Sequence, residues 1–110
     1  MPSNEITIKW TPFALSCLDD IHDYITSQEK SSKPANYLIE IIFDKVEQLA
    51  IFPESGQKEP LLLKKGQENR YLVVYSYKII YQYLPSLGAI IITDVFHTSQ
   101  YPIKIRRSLK

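Results

Sequence analysis

RYLVVYSYKIIYQYLPSLGAIIITDVFH, residues 70–97, is the stretch that decides the fold. Val, Ile and Tyr dominate it, the residue types that suit a pleated, half-buried surface. Two breaks interrupt it, at Tyr75-Ser76 and at Pro85-Ser86-Leu87-Gly88, where polar or turn-forming residues stand. The pattern predicts three consecutive strands joined as a β-meander. Its last run, residues 89–96, is apolar apart from Thr93 and Asp94, as a strand inside a sheet requires.

Upstream of the meander the period changes. Residues 5–10 alternate, with Ile6, Ile8 and Trp10 on one side and Glu5, Thr7 and Lys9 on the other, which predicts a first strand. Thr11-Pro12 then supplies a capping hydroxyl and the residue best tolerated at the start of a helix. Ala14, Cys17, Leu18, Ile21 and Ile25 recur at helical spacing, with Phe13 and Tyr24 at the stripe's edges and Asp19, Asp20 and Asp23 on the far face. Cys17 reads as a small core residue and His22, beside the acids, as solvated. The polar residues 27–33 end that helix, and Pro34 opens a second whose stripe is Ala35, Leu38, Ile39, Ile42, Val46 and Leu49. Ile41 and Phe43 widen the second stripe, predicting contact with both the sheet and the neighbouring helix. Pro53-Glu54-Ser55-Gly56 closes it. Residues 61–64 read as a short strand, and the polar residues from Lys65 to Asn69 as an exposed, mobile loop.

A chain of 110 residues is the size of one domain, so residues 1–110 are expected to form a single α+β unit. In it an N-terminal strand and a helical hairpin pack on one face of a curved, mostly antiparallel sheet. No run of about 18 apolar residues predicts a membrane span, and the first residues lack the pattern of an export signal. A cytoplasmic protein is the expectation. The lone Cys17 cannot pair within the chain, and His22 and His97 lie too far apart in sequence for metal spacing, so neither metal nor cofactor is expected. The net charge of +1 hides an asymmetry: residues 1–53 hold 4 Lys and Arg against 8 Asp and Glu, net −4, whereas residues 54–110 hold 9 against 4, net +5. A basic second half attracts an RNA backbone, or an acidic or amphipathic protein segment that folds on binding; a merely solvated mixed surface would look the same.

The order of strand, two helices and a meander closing near His97 is similar to the RelE/ParE family of toxins from type II toxin–antitoxin modules, also described as plasmid stabilisation proteins. Trp10-Thr11-Pro12 with Ala14, Leu49 with Phe52-Pro53, Arg70-Tyr71 leading into Tyr77-Lys78-Ile79-Ile80-Tyr81, and Val95-Phe96-His97 carry the likeness over nearly the whole chain. It implies a growth inhibitor held by a cognate antitoxin in a hetero-oligomer, with one of two targets. ParE-like members act on DNA gyrase and have no recognised nuclease site. RelE-like members are metal-independent endonucleases that cut mRNA in the ribosome, and a degenerate member would keep only antitoxin binding.

Cleaving RNA without a metal needs a base, an acid and cations around the charged phosphorane. On the nuclease reading Lys78 and Arg70 are the cations and His97 the proton donor or acceptor, so that Lys78→Ala would remove activity and leave the fold intact. Each has a plain structural alternative: a salt bridge for Lys78, an acidic neighbour or the antitoxin for Arg70, a hydrogen-bonded strand end for His97. Lys64, Lys65, Tyr101, Lys104, Arg106 and Arg107 are candidates for contact with a partner or with RNA. Tyr71, Tyr75, Tyr77, Tyr81 and Tyr83 can stack on bases or line the edge of the core. Thr98, Ser99 and Gln100 follow His97 where nuclease members are basic, and residues 71–74 contain no cation, which favours the ParE-like branch.

Overall fold

Alternation at the start of the chain produces β1 (Thr7–Trp10) in the computed structural model, which describes residues 5–62 and 68–100. Thr11 leaves the strand with extended backbone, and its Oγ1 accepts the Ala14 N–H at 3.0 Å. That bond satisfies one of the donors left open at a helix start, while Pro12 has no N–H to satisfy. The helix α1 (Pro12–Glu29) buries Ala14, Cys17 and Leu18 and packs Ile21 and Ile25 behind them. Its last turn includes polar residues expected to lie beyond it; the helix stops where Lys30 turns left-handed, φ 57°.

The second helix, α2 (Lys33–Glu47), with the 3₁₀ turn Gln48–Ala50, buries Ala35, Leu38, Ile42, Val46 and Leu49. The width of its stripe is used as expected: Ile39, Ile41 and Phe43 pack on the same core, Phe43 with its ring 4.9 Å from that of Trp10. His22 is not simply solvated. Its Nε2 donates to Asn36 Oδ1 at 2.6 Å and ties α1 to α2.

Four further strands complete the sheet: β2 (Gln57–Lys58), β3 (Glu68–Val74), β4 (Tyr77–Leu84) and β5 (Ala89–His97), in the order β1-β5-β4-β3-β2. The meander is antiparallel, as expected, and turns at Tyr75, whose φ is 53°, and at Gly88. β5 lies inside the sheet because β1 joins its free edge in parallel, Thr7 opposite Ala89. Two expectations fail between α2 and β3. Pro60–Leu62 is a 3₁₀ turn rather than part of a strand, and Glu68 and Asn69 belong to β3 rather than to a loop. Asn69 can enter the sheet because its buried amide donates to Leu62 O at 3.0 Å.

The two faces of the sheet carry different loads. The helices cover one, over Ile79, Tyr81, Ile90, Ile92 and Val95. Leu62 closes the other, over Ile80 and Phe96, with Tyr71 at the side. Near the middle, Ile80 faces Asp94 but Tyr81 faces Ile92, so Thr93 is an extra residue in β5 and donates to Ile80 O at 3.3 Å. This bulge accompanies the burial of Asp94, whose Oδ1 accepts the Cys17 thiol at 3.7 Å. Cys17 is therefore a core residue in polar contact with Asp94.

The helical packing can be tested at Ile42, which is wholly buried. Ile42→Asp places a carboxylate among apolar groups at a cost of several kcal/mol, comparable with the whole stability of a domain this size. Circular dichroism and urea titration should find the variant unfolded at 25 °C; native-like stability would refute this arrangement of the hairpin.

Candidate functional site

Lys78 alternates out of β4 onto the face away from the helices, between Tyr71 and the segment 59–62. Its Nζ lies 2.7 Å from Glu59 Oε2 and 4.0 Å from the centroid of the Tyr71 ring. Both members of the ion pair are buried, Glu59 completely. Glu59 is held from both sides, since its N–H donates to Asn69 O at 2.8 Å and its Oε1 accepts the Leu61 N–H at 3.3 Å. The lysine charge is thus cancelled inside the protein, with a ring face adding to its attraction.

Arg70 stands opposite Tyr81 in the ladder and reaches back under the end of α2. One terminal nitrogen donates to Glu54 O at 3.1 Å and to Gly56 O at 2.7 Å, and the other meets Glu54 Oε2 at 3.3 Å and Glu68 Oε1 at 3.1 Å. The hydrogen bond to Glu68 holds the guanidinium pKa above its ordinary value, against the opposing effect of burial. Beside it, the buried Tyr81 hydroxyl accepts the Gly56 N–H at 3.0 Å and donates to Pro53 O at 2.9 Å. Only glycine fits there, because a Cβ on Gly56 would stand 2.5 Å from Tyr81 Oη and 2.7 Å from Tyr71 O. Burial pushes the Tyr81 phenol pKa up, partly offset by the Gly56 hydrogen bond and the Arg70 charge.

His97 ends β5 on the helix face. Ser99 donates its N–H to His97 Nδ1 at 3.1 Å and places Oγ 2.8 Å from the same nitrogen. A backbone N–H can only donate, so Nδ1 is the acceptor in that bond. The ring meets Tyr77 edge-on, with centroids 5.3 Å apart, and lines a cavity of about 620 Å³ between α1 and the end of β5. Phe13, Asp20 and Tyr24 form its helical side.

The three groups do not converge. Lys78 is opposite Phe96 and His97 opposite Tyr77, adjacent positions whose side chains leave by opposite faces. Arg70 and His97 sit four residues apart along β4, on the strands flanking it, about 13 Å along the strand and about 10 Å across it. Lys64, Lys65, Tyr101, Lys104, Arg106 and Arg107 lie outside the described residues. Residues 57–59 were missed as structure, although Glu59 proves to be the partner of Lys78. Among the described residues, no group of three or more His, Cys, Asp and Glu is placed to hold a metal ion, and no helix is long and apolar enough to cross a membrane.

Residues 8–102 match the family model described as the ParE toxin of the type II toxin-antitoxin system, parDE. The chain belongs to the ParE toxin family. The fold agrees: a chain of the chromosomal ParDE TA system from P. aeruginosa superposes with a TM-score of 0.67 at 20% identity, covering 86% of this chain and 98% of that one. The toxin-antitoxin complex RelBE2 from Mycobacterium tuberculosis contains a chain that superposes with a TM-score of 0.52 at 17% identity, over 84% of this chain and 91% of that one. No curated protein matches the sequence. Within a ParE fold, then, Arg70 and Lys78 occupy ion pairs at two separate places, and His97 borders the cavity.

Two consequences can be measured. Lys78→Ala strands Glu59 without its counter-ion, so it should cost about 3–5 kcal/mol in urea unfolding rather than leave the fold intact. Replacing both partners, Lys78→Met with Glu59→Leu, should recover most of that loss; a single variant as stable as the parent would refute the burial of the pair. The raised Tyr81 pKa means that the unfolded chain releases its phenolic proton first as pH climbs, so this contribution to stability is complete below the ordinary value of 10.0 and fades above it. Tyr81→Phe should therefore lower stability at pH 7 and flatten its alkaline decline, as read from urea midpoints between pH 7 and 11.

Proposed function

We propose that the chain is a ParE-like toxin that inhibits growth through DNA gyrase by surface contact and is neutralised by a cognate antitoxin. The burial of Lys78 against Glu59 carries this reading. Metal-free RNA cleavage wants cations free to meet the phosphorane and a proton donor within reach of the same phosphate. Here Lys78 is neutralised by Glu59, Arg70 is engaged by Glu54 and Glu68, and His97 is on the other face of the sheet from Lys78. Protein contact makes no such demand. The solved neighbours come from toxin–antitoxin systems, which supports an antitoxin as partner. The basic second half would attract an acidic or amphipathic antitoxin segment.

Controlled expression of the wild type and His97→Gln, followed by growth, plasmid topology and mapping of mRNA ends, tests the reading. Both proteins should arrest growth and alter supercoiling alike, with no new mRNA ends. Cuts in mRNA that disappear in His97→Gln, with supercoiling unaltered, would overturn it in favour of a ribosome-dependent nuclease. Absence of any growth effect from soluble protein would point to a degenerate antitoxin-binding member.

A further inference from the structure

The cavity beside His97 plays no part in the gyrase reading, and its walls have a definite chemistry. Three aromatic rings meet there, Phe13 and Tyr24 from α1 and Tyr77 from β4. Phe13 and Tyr24 remain 48% and 64% exposed, so they contribute little to the core. Tyr24 and Tyr77 line the same cleft from opposite sides, one from the helix and one from the sheet. Among these rings stands the exposed Asp20 carboxylate, which has no ion-pair partner among the described residues. The helix that presents it carries Asp19, Asp20, Asp23 and Glu29 and no Lys or Arg.

We infer that this cleft is a recognition pocket for an arginine side chain presented by a partner polypeptide. Aromatic faces attract a cation through their quadrupole, and a guanidinium is flat enough to stack on one ring while donating two hydrogen bonds to a carboxylate. A volume of about 620 Å³ holds that side chain with an apolar neighbour. Charge selects the class of partner: a phosphate backbone would meet the Asp20 carboxylate in the cleft, on a helix that carries no Lys or Arg to offset it. The pocket is independent of the gyrase reading and can fail or stand separately from it.

The test is an NMR titration of the full-length protein with acetyl-Leu-Arg-Leu-amide and with its citrulline twin, which keeps the shape and lacks the charge. The arginine peptide should shift the Tyr24, Tyr77 and His97 ring signals saturably, and the citrulline peptide should bind about tenfold more weakly. Asp20→Asn should weaken the arginine peptide by a similar factor and leave the citrulline peptide unchanged, whereas Glu29→Gln should alter neither. Equal binding of the two peptides, no saturable shift at these rings, or indifference to Asp20→Asn would overturn the assignment. So would an RNA oligonucleotide shifting the same signals more strongly than the arginine peptide. Binding seen only in a full-length variant with Lys104, Arg106 and Arg107 changed to Gln would assign the cleft to the chain's own basic end, and would overturn it too.

Discussion

A lysine in the middle of a sheet can be buried only if a counter-charge is brought to it, and in this protein the counter-charge has to come from a loop. Glu59 reaches Lys78 because the chain between α2 and β3 is drawn across the edge of the sheet. Arg70 holds its carbonyls at Glu54 and Gly56, and Tyr81 holds Pro53 and the Gly56 amide. Leu62 arrives with that segment and closes the second apolar face over Ile80 and Phe96. Three polar side chains of the meander therefore organise a stretch that has almost no secondary structure of its own. Removing one partner leaves a buried charge or dipole unanswered, whereas an apolar replacement of both would not, so the arrangement resists stepwise loss.

The same economy bears on activity. A cation near a scissile phosphate has to be stabilised enough to stay in place and free enough to meet incoming negative charge. Arg70 and Lys78 meet the first condition through carboxylates of the protein itself, Glu54 and Glu68 for the one and Glu59 for the other. The family fold is thus retained while the charges of the meander are turned inward, to hold the loop. What stays outward on α1 is acidic and aromatic, with Asp19, Asp20, Asp23 and Tyr24 exposed.

Most of the architecture was legible because it rests on periodicity. The strands of the meander, the Thr11-Pro12 helix start and the two apolar stripes all follow from residue type and spacing, which act locally. The parallel seat of β1 was not written in the sequence, since alternation tells which side of a strand is buried and says nothing of its neighbour. The exposed pair Gln57–Lys58 has too few residues to show a period, and Asn69 enters a strand only through a bond to Leu62 that no local pattern announces. The candidate site was legible by residue type alone. Lys78, Arg70 and His97 were each open to a structural reading, and for the two cations the decision lay with Glu54, Glu59 and Glu68, which the spacing of the chain does not connect to them.

The parallel pairing of Thr7 with Ala89 joins positions 82 residues apart. At translation rates of about 5–20 residues per second, β1 waits roughly 4–16 seconds before its partner strand exists. Until then its edge and the apolar side chains of Ile8 and Trp10 have no sheet to join, and the helical hairpin has no completed floor to rest on. Closure of the sheet is consequently a late event in the life of the nascent chain. A member of a toxin family is thereby withheld from its final shape until nearly all of it has been made.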